Sequence, residues 1–93
     1  RIILINNGGG GIFRILPGPK TSNVLEYFEY PHSLTAKQLA EMHGFSYYVV
    51  NSIEEIQREL ESFYECSDKP KLLEILTPSS LNDVVLKEYF KKL

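Results

Sequence analysis

Ile2, Ile3, Leu4 and Ile5 form an unbroken apolar run. It empties into Asn6 and Asn7, then four glycines at 8–11, before bulky apolar residues resume at Ile12 and Phe13. A continuous, largely β-branched run of this kind reads as a strand buried on both faces, as in a parallel sheet. Glycines 8–11 must be loop. Residues 12–16 fit one helical turn, which Pro17, Gly18 and Pro19 then break. Residues 17–34 mix aromatic with acidic side chains and hold no steady period, and a loop of that length inside a small domain is usually functional or flexible.

Periodicity returns at Thr35, which with Gln38 makes a capping pattern for a helix over 36–43, with Ala36, Leu39 and Met42 on its inner side and Gly44 as its stop. Residues 47–50 read as a strand. Ser52 and Glu55 form a second capping box, followed by Ile53, Ile56, Leu60, Phe63 and Tyr64 at helical spacing, which predicts an amphipathic helix over 53–65. Pro70 precedes a third strand at 71–76. A last helix is expected from Asn82 as N-cap, with Val84, Val85, Leu86, Tyr89, Phe90 and Leu93 as its apolar positions. Strands alternating with helices predict an α/β fold, a parallel sheet with helices on both faces. Three strands are few for such a sheet. The apolar strand also starts at once, without a lead-in, so residues 1–93 are expected to be the C-terminal part of a larger domain.

Composition narrows the function without naming it. A formal net charge of −2 over 93 residues argues against a nucleic-acid partner, which favours a basic face. No apolar run approaches the roughly 20 residues of a membrane helix, and none has the pattern of a signal peptide, so neither membrane insertion nor export is expected. One cysteine, Cys66, excludes an internal disulfide and suits a reducing compartment, so a cytoplasmic location is expected. One cysteine and two histidines make no zinc constellation.

The glycine loop follows a strand, where open α/β sheets bind ligands. The dinucleotide fingerprint fails, because its third glycine would fall on Phe13 or Arg14. The phosphate-loop pattern fails too: Gly18-Pro19-Lys20-Thr21 is interrupted by Pro19 and no strand feeds it. The strand ending in Asn-Asn before glycines instead resembles the close of the thiamine-diphosphate motif. More narrowly, Asn6-Asn-Gly-Gly-Gly-Gly-Ile-Phe-Arg-Ile-Leu-Pro17 resembles 2-succinyl-5-enolpyruvyl-6-hydroxy-3-cyclohexene-1-carboxylate synthase of menaquinone biosynthesis. Tyr30-Pro-His-Ser-Leu34 is similar to that family's Thr-Pro-His-Gly-Leu, with Tyr30 and Ser33 departing from it, and Leu73-Glu-Ile75 resembles its last strand.

The resemblance implies part of a thiamine-diphosphate-binding domain in a transferase that decarboxylates 2-oxoglutarate and adds the remaining four carbons to isochorismate. It implies thiamine diphosphate with Mg2+ or Mn2+, and a homodimer or homotetramer. Asn7 would ligate the metal through its side chain and Gly9 through its carbonyl. Asn6, Gly10, Gly11 and Ile12 would lie at the cofactor, and Ile12, Phe13 and Leu16 would form an apolar wall beside it. Neutral oxygens suit Mg2+, which keeps phosphate in its shell. The family's Gly-Asp-Gly half-motif and activating glutamate would lie before Arg1, and no catalytic residue or substrate-carboxylate site is identified among residues 1–93, so this chain alone is expected to be inactive. Plain readings stand beside these. Asn7 fits a turn that bonds its own backbone, the apolar wall fits ordinary core, and His32 fits a structural loop residue as well as a substrate contact. His43 suits a helix end, Cys66 and Lys91 and Lys92 suit solvated helix ends, and Tyr27, Phe28 and Tyr30 fit a lid or a subunit contact. The alternatives for the whole are another thiamine-diphosphate carboligase of the acetolactate-synthase kind, or a non-catalytic α/β interaction module.

Overall fold

The computed structural model describes residues 1–18, 21 and 23–93. The elements in chain order are β1 (Ile2–Asn6), a 3-10 turn (Gly11–Arg14), α1 (Leu25–Glu29), α2 (Lys37–Met42), β2 (Ser46–Val50), α3 (Ile53–Tyr64), β3 (Lys71–Leu76) and α4 (Ser79–Lys91). These residues divide into two compact units, Arg1–Asn6 with Leu34–Leu76, and Asn7–Ser33 with Thr77–Leu93.

The first unit is an α/β layer built on a three-stranded parallel sheet in the order β1-β3-β2. Successive side chains on a strand point to opposite faces, and β3 supplies both. Leu73 packs with Val50 and Phe63, flanked by Tyr48, Ile56, Leu60 and Ile75, so α3 covers that face. Phe63 meets the Tyr48 ring edge-on at 6.1 Å. On the other face Leu72 and Ile2 line an apolar cavity of about 200 Å³ with Leu39, Ala40, His43 and Phe45, which places α2 there.

Local chemistry explains where these helices begin and end. Ser52 Oγ accepts from Glu55 N at 3.2 Å, the expected cap, and Glu55 reaches back to Asn51 N at 2.8 Å, one residue before the ideal box partner. At the other end of α3, Arg1 Nε donates to Phe63 O at 2.6 Å and its Nη2 to Glu65 O, while Lys71 Nζ donates to Ser62 O and Glu65 O. Two cations thus satisfy the last carbonyls and oppose the negative end of the helix dipole. α2 stops at His43, and Gly44 turns the chain at φ +72°.

Three expectations for this unit are corrected. β1 is an edge strand, paired with β3 alone among the described residues, and its apolar side chains are exposed, Ile5 by 59%. The buried central strand is β3. Thr35 does not cap α2: the N-cap is Ala36, whose N–H donates to the Glu74 carboxylate at 3.0 Å. The buried residue of α2 is Ala40, with Leu39 and Met42 largely exposed.

The second unit holds the glycine loop, the 3-10 turn, α1 and α4. The 3-10 turn sits where one helical turn is expected. α1 breaks the expected featureless stretch 17–34. Pro19 of the predicted break, with Lys20 and Ser22, lies outside the described residues. α4 begins three residues before Asn82, with Pro78 as N-cap. Asn82 instead turns back, its Nδ2 donating to Thr77 Oγ1 at 2.9 Å. The six apolar positions of this last segment are exposed and the buried residue of the helix is Asp83. The reason is polar anchoring: Lys87 Nζ lies 3.4 Å from Asp83 Oδ2 and donates to Arg14 O at 3.2 Å, so the side of α4 turned toward the 3-10 turn is its charged one. Among the described residues no helix is long and apolar enough to cross a membrane.

Candidate metal and cofactor site

β1 ends at Asn6, and the side chain of Asn6 is spoken for within the sheet unit. Its Nδ2 donates to Glu74 Oε1 at 2.8 Å and to Leu34 O at 2.9 Å. Glu74 is fully buried, yet it also accepts from Ala36 N and from the Tyr47 hydroxyl. Burial opposes its ionisation, but the bonds from Tyr47, Asn6 and Ala36 win and hold its carboxyl below the usual range. The counterpart is Tyr47, whose hydroxyl is pushed up to about 12, first by burial and then by its bond to the Glu74 carboxylate. The Asn6 amide is thus engaged within the sheet unit, at the end of β1.

The loop itself belongs to the second unit. Asn7 Oδ1 accepts from Gly9 N at 3.1 Å, and Gly9 O accepts from Gly11 N at 2.8 Å. Gly8 takes φ +72°, a left-handed conformation that glycine adopts without a steric cost. Gly11 is needed for space: a Cβ there would lie 2.7 Å from Asn7 Nδ2. The turn that sequence reasoning set against metal ligation is present. It also leaves two neutral oxygens on the loop, Asn7 Oδ1 and Gly9 O, each accepting one backbone N–H. Amide and peptide oxygens each carry two lone pairs, so each can accept one hydrogen bond and still face a cation. Such hard, uncharged donors fit a share of an octahedral Mg2+ shell and leave the metal's charge to attract a diphosphate.

Residues 29–32 lie against this loop. Gly10 N donates to Glu29 O at 2.6 Å, and His32 N donates to Gly8 O at 2.7 Å. His32 thus meets the loop through its backbone, and its side chain is exposed. The apolar candidates follow directly. Phe13 packs on Phe28 with ring centroids 5.5 Å apart, while Ile12 and Leu16 remain exposed. That leaves an open apolar surface on the 3-10 turn. Tyr27 and Tyr30 are exposed as well.

Sequence reasoning missed the buried acids. Glu29 is 7% exposed and forms a two-pronged pair with Arg14, Nε to Oε1 and Nη2 to Oε2 at 3.0 Å. The hydrogen bond to Glu29, countered by burial, raises the already high pKa of Arg14, and the charges of Glu29 and Asp83 add to it. Fifteen residues separate the partners and nothing in the local pattern pairs them. Glu74 did leave a signal, a lone acid inside the apolar run 72–76. Cys66, His43, Lys91 and Lys92 are exposed, at or beyond helix ends.

No family model matches the chain, and no solved structure matches it. Curated relatives do. A 2-succinyl-5-enolpyruvyl-6-hydroxy-3-cyclohexene-1-carboxylate synthase of Christiangramia forsetii is 57% identical over 91 residues, 97% of this chain and 16% of the relative. The synthase of the same name from Flavobacterium johnsoniae is 50% identical over 100% of this chain and 17% of the relative. That of Flavobacterium psychrophilum is 47% identical with the same coverage. The chain spans about one sixth of the length of these relatives. Along essentially its whole length, the chain is homologous to the 2-succinyl-5-enolpyruvyl-6-hydroxy-3-cyclohexene-1-carboxylate synthases of menaquinone biosynthesis.

Proposed function

We propose that this chain forms the C-terminal part of the diphosphate-binding domain of such a synthase, and that its glycine loop holds the metal-bound diphosphate of thiamine diphosphate. The observation that carries this reading is the Asn7 turn, in which Gly9 N donates to Asn7 Oδ1 at 3.1 Å directly after an apolar strand. Asn7 and Gly9 would supply two oxygens to Mg2+ or Mn2+, and Gly10 and Gly11 allow close approach of the backbone. Asn6 is held by Glu74 at the end of β1. Thiamine diphosphate, when bound, supplies the electron sink for decarboxylating a 2-oxo acid and passing on the remaining carbons.

The work of this chain's own residues is orientation and exclusion of water. The apolar surface of Ile12, Phe13 and Leu16 would flank the reacting end of the cofactor and keep water from the reactive carbon. The substrates in this reading are 2-oxoglutarate and isochorismate, and the setting is a cytoplasmic homodimer or homotetramer. The residues that hold the substrate carboxylates, and the acid that activates the cofactor, would come from outside residues 1–93. The test is to incubate the intact gene product carrying this sequence with both substrates, thiamine diphosphate and Mg2+, and identify products by mass spectrometry. Carbon dioxide release with a succinylated cyclohexene adduct supports the reading. Decarboxylation without the adduct would move the protein to another thiamine-diphosphate carboligase. No reaction and no cofactor binding would leave an α/β interaction module.

A further inference from the structure

The glycine loop does not hold its shape by its own bonds alone. Its outer side is backbone packed on backbone. Gly10 N donates to Glu29 O at 2.6 Å, His32 N donates to Gly8 O at 2.7 Å, and a Cβ on Gly9 would lie 3.0 Å from Glu29 O. Between these two bonds Tyr30 sits at φ +46°, in the left-handed region that a bulky residue enters only when its surroundings impose it. What imposes it is at hand. The Glu29 carboxylate, buried, is forked by the Arg14 guanidinium. Arg14 in turn is fixed by the 3-10 turn and by Lys87 Nζ on its own carbonyl. A two-pronged Arg–carboxylate pair fixes orientation as well as distance.

We infer that Glu29 is a positioning residue for the metal-and-diphosphate loop: latched by Arg14, it holds the 29–32 backbone against Gly8 and Gly10 and so keeps the Asn7 and Gly9 oxygens turned for the metal. Glu29 touches neither metal nor cofactor in this account and acts through the loop. The inference rests on the proposed cofactor site.

The test is calorimetric titration of thiamine diphosphate into the intact gene product at limiting and at saturating Mg2+, with thermal melts of the metal-free protein alongside. Glu29→Gln and Arg14→Ala are each expected to weaken binding about tenfold at limiting Mg2+ and less at saturating Mg2+. The double variant should be no weaker than either single one, because both residues act through one latch. Phe63→Leu, which loosens the core under α3, serves as control: it should lower the melting temperature and leave the affinity unchanged. Should Glu29→Gln fail to fold, Arg14→Lys decides, since it keeps the charge and loses the fork. Affinities that stay at the wild-type value, that fall additively, or that fall only in step with melting temperature would overturn the inference. A wild-type protein that binds no thiamine diphosphate would overturn the proposed site first and this inference with it.

Discussion

Gly11→Ala separates the role of the loop in holding a ligand from its role in folding. The new methyl group would stand 2.7 Å from Asn7 Nδ2. Ordinary contact needs about 3.5 Å, so the Asn7 amide must retreat by roughly 0.8 Å. The amide is planar, so Oδ1 moves with Nδ2, and its 3.1 Å bond to Gly9 N is lost. That bond is worth about 0.5–1.5 kcal/mol. Gly11 does not have a left-handed φ, so its backbone accepts alanine without strain, and the substitution recovers about 0.4–1 kcal/mol by restricting the unfolded chain. Stability is therefore expected to change by less than about 1 kcal/mol. The metal site loses the orientation of one ligand, which typically costs 10–100-fold in metal affinity. The assay pairs a thermal melt with titration of Mg2+ at fixed thiamine diphosphate. A near-normal melt with a metal affinity at least tenfold weaker is the expected result. Unchanged affinity would refute the geometry assigned to Asn7, and a collapsed fold would refute the stability argument.

Two further predictions concern the sheet unit. Glu74 has a depressed folded pKa, so its ionised form stabilises the native state above its unfolded pKa of about 4, and that contribution fades as pH falls through the lower folded value. Glu74→Gln should accordingly speed hydrogen exchange of the β3 amides at pH 7, after correction for intrinsic rates, with the difference from wild type shrinking below about pH 4; a difference that does not change with pH would contradict the ionised assignment. Phe63→Ala should cost about 3–5 kcal/mol, because Phe63 is fully buried between Val50 and Leu73, and a shift in the urea midpoint equivalent to less than 1 kcal/mol would contradict its place in the core.

Some of this was legible in the chain. The bounds of β3, the Ser52 cap of α3 and the Gly44 stop were readable because each rests on residues within four positions of one another. Strand order was not. The apolar run 2–5 looks more buried than 71–76, yet β3 is central and carries Glu74, whose burial depends on donors from Asn6, Ala36 and Tyr47. The start of α4 was misplaced because Asn82 has the chemistry of an N-cap but bonds Thr77 from inside the helix. α1 is five residues long, too short for a periodic signal, and it ends at the Arg14–Glu29 pair, which is tertiary. At the site, the turn in which Asn7 bonds its own backbone was readable from local residue chemistry, while Asn7 and Gly9 as metal ligands came only from the family resemblance. The backbone clamp from residues 29–32 could not, because a bond between two peptide groups leaves no side-chain signature.

The most direct test of the central claim is whether Asn7 links thiamine diphosphate binding to a divalent metal. Thiamine diphosphate would be titrated into the intact gene product and into its Asn7→Ala variant, each with Mg2+ and with chelator. Mg2+-dependent binding is expected in the wild type, and the variant should lose it by tenfold or more while remaining folded. Equal binding by both proteins, or binding indifferent to Mg2+, would contradict it.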